Sequence, residues 1–464
     1  MFDAQTYIDR RDVLKQKFNA GLLLFLGNED SPANYKANTY AFRQDSSLLY
    51  YFGLDIPGLA ATIDLDNDTE TIFGQEFTLD DIVWTGPQPS LEQLAESAGI
   101  KNSAPVNKLE TSIRARIAKG SQVHFLPQYR SENVLKISNL LGLNSARVND
   151  YASANFVKAV IEQRSIKSDA EISELDFAVD IAHKMHISAM KMTKPGIYEK
   201  KIAGMIEGVA LSLGSGMSFR PIVSKNGHTL HNPNYENILE KGDLLVNDSG
   251  AESKLHYTSD ITRTIPVGGK FSDKQQEIYE IVLRAQMNAI DAARPGMMNK
   301  ELHMIAANTI TEGLMHIGLM HGNVEEAVNV GAHALFFPHG LGHMLGLDVH
   351  DMEALGEEAV GYNEHVSRSN QFGLKYLRLA KTLEPGYVFT IEPGIYFIPE
   401  LIDMWRQEYK LREFINYDKV DDYRNFGGIR IEDDILITEN GHRVLGTKPI
   451  PKTVEEVEAL ASGK

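Results

Sequence analysis

The strongest constraint on this chain is a pattern that occurs twice after residue 168. Ser168-Asp-Ala-Glu171 has the Ser-x-x-Glu form in which side chain and backbone cap each other at a helix start. Apolar residues follow at Ile172, Leu175, Val179, Ala182, Met185 and Ala189, the spacing of an amphipathic helix, and Lys194-Pro195-Gly196 ends it. A second such helix opens at Ser272-Asp-Lys-Gln275 and ends at Arg294-Pro295-Gly296. The pattern predicts another helix after each, then a strand carrying an acid: Gly242-Asp-Leu-Leu-Val-Asn-Asp248-Ser-Gly250 in one half, Gly386-Tyr-Val-Phe-Thr-Ile-Glu392-Pro-Gly394 in the other. In both, the acid lies six residues after one glycine and two before the next. Each half adds one more acid on an apolar segment, Asp260 in YTSDITRTIPV and Glu432 in GGIRIEDDILIT. Proline and glycine end most helices, so the recurrence alone has a plain reading; the two matching spacings weigh against chance. Halves related by a pseudo-twofold axis would bring all four carboxylates to that axis.

Among 63 acids an individual Asp or Glu is ordinarily solvated surface. Asp248 and Glu392, however, lie between apolar residues and a glycine, on strands expected to be buried, where an unpaired carboxylate is costly. Four such groups cannot all ionise together without counter-ions. Two divalent cations would balance them. The chain has no cysteine, so its metal ligands must be oxygen or imidazole. His343 is the fifth candidate, from FFPHGLGHMLGLDVHD, where His339, His343 and His350 place three of the chain's 15 histidines within twelve positions. Each of these, and more so His231 in HTLHNPNYEN, is also readable singly as a satisfied loop histidine. Four carboxylates and one imidazole form a hard site, favouring Mn²⁺, with Co²⁺, Zn²⁺ or Fe²⁺ open. Paired ions of this kind activate water and polarise a carbonyl, which is equipment for amide hydrolysis. A serine mechanism fits less well, since no Gly-x-Ser-x-Gly elbow occurs in the expected context, and Gly214-Ser215-Gly216 reads as a loop. There is no phosphate loop and no convincing dinucleotide fingerprint.

A chain of 464 residues exceeds one ordinary core, which predicts two domains. Residues 1–155 alternate apolar runs (from Gly21, Leu59 and Ser121) with helical stretches such as Ser90 to Ser97, and Leu65-Asp-Asn-Asp68 predicts a hairpin turn. This is a small α/β domain; residues 156–464 form the second. The net charge of −17 argues against nucleic acid and anionic membrane as partners. The N-terminus lacks the apolar core of a secretory signal and no run approaches a membrane span, so a cytoplasmic protein is expected.

The motifs NDSGA, SDITRTIPV, PHGLGHMLGLDVHD, TIEPGIYF and GGIRIEDDILIT, taken in order, closely resemble those of the pita-bread metallopeptidases, specifically aminopeptidase P and prolidase. The segments around Tyr40 to Ser47 and Trp84-Thr-Gly86 resemble the aminopeptidase P N-terminal domain, so the likeness spans nearly the whole chain. It implies an α/β N-terminal domain followed by an α+β pita-bread (creatinase/aminopeptidase) domain with an internal pseudo-twofold repeat. It implies two divalent ions held by Asp248, Asp260, His343, Glu392 and Glu432. His231, His339 and His350 would then stand on the substrate side, Glu392 would also take a proton from the attacking water, and Arg430 would orient the site. The implied substrate is a peptide with proline second, cut at Xaa-Pro, and the implied assembly is a homodimer or homotetramer through the N-terminal domain. Two departures bear on this. The interval from Asp248 to Asp260 is one residue longer than the family's common form, and the acidic stretch 353–371 reads as either a lid or a surface insertion. Arg378 and the segment between Glu392 and Glu432 resemble prolidase, so an Xaa-Pro dipeptidase is the alternative, with Arg378 clamping a C-terminal carboxylate. A metal-free creatinase-like hydrolase or a peptide-binding pseudoenzyme is the remote one, and five competent ligand positions argue against it.

Overall fold

The computed structural model describes residues 1–463 and divides into two compact units, one of residues 1–164 with 353–359, the other of 165–352 with 360–463. The first unit is built on a five-stranded sheet of β1 (Leu22–Leu26), β2 (Ala60–Asp64), β3 (Thr69–Gly74), β4 (Asn102–Pro105) and β5 (Val123–Phe125), in the order β4-β3-β2-β1-β5. β2 and β3 pair antiparallel across the turn expected at 65–68, while β4 and β5 join parallel at the edges. β1 is buried along its whole length, so its apolar run has no polar alternation. Leu22, Leu24, Leu26, Phe73, Ile113, Phe125 and Ile137 form the core of this unit.

The second unit contains the repeat. Its first half holds α1 (Asp169–Met192), α2 (Glu199–Leu213) and a three-stranded sheet of β6 (Ile222–Ser224), β7 (Leu244–Ser249) and β8 (Ile261–Pro266), with β7 central. The second half holds α3 (Asp273–Ala292), α4 (Asn299–His316) and strands β9 (Val388–Ile391), β10 (Gly394–Tyr396), β11 (Gly428–Arg430), β12 (Asp433–Thr438) and β13 (Gly441–Val444). Both long helices carry the predicted capping boxes at Ser168 and Ser272. Their apolar stripes, Leu175, Val179, Ala182, Met185 and Ala189 on α1 and Ile278, Val282, Ala285 and Ala289 on α3, are buried.

Backbone bonds recur at equivalent places in the two halves. Gly196 N–H donates to Leu239 O at 2.8 Å, and Gly296 N–H to Leu383 O at 2.9 Å. Gly242 donates to Val267 O at 3.0 Å, and Gly386 to Ile437 O at 2.8 Å. All four glycines have φ between +84° and +95°, a region that costs other residues strain. The spacing glycines of the sequence thus start equivalent turns. Between the halves, Glu432 N–H donates to Thr262 O at 3.1 Å, a single antiparallel bridge on the seam. No helix among the described residues is long and apolar enough to cross a membrane.

Candidate active site

The seam brings the acids together. Asp248 lies near the end of β7, Asp260 immediately before β8, Glu392 immediately after β9, and Glu432 in the link between β11 and β12. The last three therefore sit at strand ends rather than within strands, where backbone crossing from one sheet to the next turns them inward. Asp248, Asp260, Glu432 and His343 are all under a tenth exposed. Ligand atoms of Asp260, His343 and Glu432 lie within 4.8 Å of one another. His343 Nε2 is 3.4 Å from Asp260 Oδ2 and 3.8 Å from Glu392 Oε1.

The tautomer of His343 follows from its other nitrogen. Nδ1 faces the Met344 carbonyl at 3.1 Å, and a carbonyl only accepts, so Nδ1 carries the proton. Nε2 is left with a lone pair aimed at carboxylates, an arrangement that a cation between them would make favourable. Burial, and then His350, holds the His343 imidazole well below its ordinary pKa, in the neutral form a ligand needs. Burial, followed by Glu432, Asp248, Asp434 and Glu392, pushes the Asp260 carboxyl well above the usual carboxylate range. Burial, then Glu392 and Asp248, does the same to Glu432. Asp248 Oδ1 and Asp260 Oδ1 are buried with no hydrogen-bond partner. Crowded acids, orphaned oxygens and an inward imidazole lone pair together fit divalent metal.

Around this set runs a hydrogen-bonded frame. Arg430 Nη2 donates to Asp248 Oδ2 at 2.6 Å, and Nη1 donates to the Tyr396 hydroxyl at 2.8 Å. The Tyr396 hydroxyl meets His339 Nε2 at 2.9 Å, while His339 Nδ1 faces Gly340 O at 2.8 Å. Since Nδ1 must donate to that carbonyl, Tyr396 donates to Nε2. Burial, then Arg430, lowers the His339 imidazole to about 3, so it is neutral. Thr262 Oγ1 donates to Glu432 Oε2 at 2.6 Å, Thr390 Oγ1 accepts from His343 N–H at 3.1 Å, and Asp434 Oδ2 accepts from Asp260 N–H at 3.0 Å.

Above the acids opens a pocket of about 980 Å³. All ten residues singled out in the sequence line it: Asp248, Asp260, His343, Glu392, Glu432, His231, His339, His350, Arg378 and Arg430. The His350 ring lies tilted against that of His343, with centroids 4.0 Å apart. His231 stands in the pocket wall beside Asn232, its pKa lowered by burial and then Arg430. Apolar walls come from Phe219, Ile222, Phe372, Ile398, Leu401 and Met404. Sequence reasoning missed Tyr396, Thr262, Thr390 and Asp434. A signal existed for three of them: side chains two apart along an extended segment share a face, which pairs Thr262 with Asp260, Thr390 with Glu392 and Asp434 with Glu432.

Comparison with known proteins shows the family and the fold. The profile of metallopeptidase family M24 matches residues 173–439, and that of the aminopeptidase P N-terminal domain matches residues 7–124. A human Xaa-Pro dipeptidase is 32% identical over 457 residues, covering 96% of this chain and 89% of the human protein. A probable Xaa-Pro aminopeptidase, pepP of Emericella nidulans, is 33% identical over 436 residues, covering 91% and 89%. Among solved structures, Pseudomonas aeruginosa aminopeptidase PepP superposes with a TM-score of 0.82 at 26% identity, covering 99% of this chain and 98% of that one. A zinc-substituted Escherichia coli aminopeptidase P in complex with product gives 0.81 at 28% identity, with the same coverage.

Proposed function

Because the chain belongs to metallopeptidase family M24 and is a metal-dependent hydrolase of peptides, we propose that it is an Xaa-Pro aminopeptidase, releasing the first residue of peptides that carry proline second. The observation that carries this reading is the convergence of Asp248, Asp260, His343, Glu392 and Glu432, two acids from each half, on the floor of one pocket walled by His231, His339 and His350. These five would hold two divalent ions, Mn²⁺ first, with Co²⁺, Zn²⁺ or Fe²⁺ as alternatives. When bound, such ions supply Lewis-acid activation of water and of the scissile carbonyl.

The chain's own groups do the rest. Glu392 takes the proton of the attacking water, since its carboxylate lies at the pocket floor next to His343 and 3.9 Å from His339. His231 and His350, both in the pocket wall, donate to the proline-side carbonyl and to the charge that develops on the scissile oxygen. Arg430 fixes Asp248 and, through Tyr396, the ring of His339. An Xaa-Pro bond has no N–H, and the apolar walls of Phe219, Ile222 and Leu401 suit a pyrrolidine ring.

The pocket's volume favours peptides longer than two residues, standing at the top of the roughly 300–1,000 Å³ range for ligand sites. Arg378 in the same wall supports the second reading, an Xaa-Pro dipeptidase whose guanidinium clamps the product-side carboxylate. With Mn²⁺ added, an aminopeptidase releases the first residue from both Xaa-Pro and Xaa-Pro-Yaa-Zaa, whereas a dipeptidase acts on the former alone. Cleavage of neither would reject both readings. We also propose that the protein is cytoplasmic and forms a homodimer or homotetramer, the assembly being read by light scattering.

A further inference from the structure

Lys167 and Asp351 form an ion pair outside the ligand set. Lys167 Nζ is 3.1 Å from Asp351 Oδ2, and the two side chains are 1% and 2% exposed. Lys167 precedes the cap of α1, and its backbone N–H donates to Gly386 O at 2.9 Å, the glycine that opens the turn into β9 and Glu392. Asp351 follows His350 directly. Its backbone N–H donates to Met344 O at 2.9 Å, and its Oδ1 accepts from Asp348 N–H at 3.3 Å. Gly346 packs so closely beneath it that a Cβ there would lie 2.3 Å from the Asp351 carboxylate. The next residue, Met352, has φ +65°, a left-handed conformation that a buried methionine adopts only when its surroundings impose it. The carboxylate of Asp351 is therefore the hub on which the loop from Met344 to Met352 is folded, and that loop presents His350 to the pocket.

Buried ion pairs add little net stability over packed apolar groups of similar size, because both charges lose their water. They do fix geometry, since either partner alone is costly. We propose that Lys167 and Asp351 are positioning residues for His350, locking the loop so that the imidazole faces the substrate beside His343. Lys167 reaches Asp351 from a segment whose backbone is tied to the Glu392 strand, so the lock sets the two sides of the pocket in one register. The inference rests on the peptidase reading only in giving His350 a substrate to meet.

The test uses the full-length Mn²⁺-loaded protein as wild type, K167M and K167M/D351N. The double variant leaves no unpaired buried charge, so it stands in if K167M does not fold. Three quantities are read: turnover of an Xaa-Pro-Yaa peptide, bound Mn²⁺ per chain, and amide hydrogen exchange in residues 344–352 against residues 169–192. The lock predicts at least a tenfold fall in kcat with unchanged Mn²⁺ content. It also predicts at least tenfold faster exchange in 344–352 and no change in 169–192. Turnover within twofold of wild type, or slower turnover without faster loop exchange, would overturn it. If the wild type cleaves no Xaa-Pro peptide, the peptidase reading fails by itself, and unchanged loop exchange in the variants would then reject the lock separately.

Discussion

Two backbone carbonyls decide what the site's histidines can do. Met344 O accepts from Nδ1–H of His343 and Gly340 O from that of His339, so each ring presents Nε2 as an acceptor, one toward the acids and one toward Tyr396. Replacing Asp260 by Asn removes the negative charge that a cation would neutralise and turns one of its two oxygens into an amide nitrogen. Mn²⁺ affinity should fall by more than the roughly 10–100-fold typical of losing an outer partner, as measured by calorimetric titration; unchanged affinity would remove Asp260 from the ligand set. Y396F removes the one hydroxyl that bridges Arg430 and His339. A lost hydrogen bond of this kind costs about 1–2 kcal/mol, or roughly tenfold in kcat/KM, with metal content unaltered. A variant as active as wild type would show that His339 needs no such support.

At the scale of elements, close approach of the ligand-bearing segments depends on glycine. A Cβ at Gly250, two residues after Asp248, would lie 1.7 Å from Ser259 O, and one at Gly342, beside His343, would lie 1.9 Å from Thr390 O. G342A should therefore destabilise by about 3 kcal/mol or more, a fall of at least about 5 °C in Tm, whereas G204A, where a Cβ meets nothing, should not. Equal melting of the two variants would contradict the crossing. These elements differ in how far the sequence reveals them. Capping boxes at Ser168 and Ser272, Pro-Gly stops and the equal glycine-to-acid spacings are local signals, and the structure turns them into equivalent helices and turns. Strand ends were less legible: β7, β8 and β9 are buried throughout, so no alternation marks where Asp260 or Glu392 leaves the sheet. Tyr396 was hidden for a related reason, because a tyrosine in an apolar run reads as core until its hydroxyl finds Arg430. Nothing local in Lys167 announces a partner 184 positions away.

For the whole molecule, two sets of buried groups should give the metal-free chain opposite responses to pH. Burial, then His333, lowers His303 to about 3, and burial lowers His333 to about 4, from an ordinary 6.5. The unfolded chain binds more protons than the folded one below pH 6.5, so this contribution is full above 6.5 and is lost as pH falls toward 4. H303L should gain on wild type by about 1.4 kcal/mol per pH unit across that window, read by urea unfolding at pH 7, 6 and 5; a constant difference would mean the folded imidazole titrates normally. Asp260 and Glu432 run the other way, since their carboxyl pKa values are raised by folding. Without metal, their contribution is full below the ordinary carboxylate range and is lost as pH rises through the raised values. Added cation should accordingly stabilise the chain more at neutral pH than at pH 5. The most direct measurement is titration calorimetry of the metal-free protein with Mn²⁺ at pH 7.5. Uptake of two ions per chain, reduced in D260N and E432Q, is the predicted result; uptake of none, or uptake indifferent to both substitutions, would contradict a site in which four acids are held together by a pair of cations.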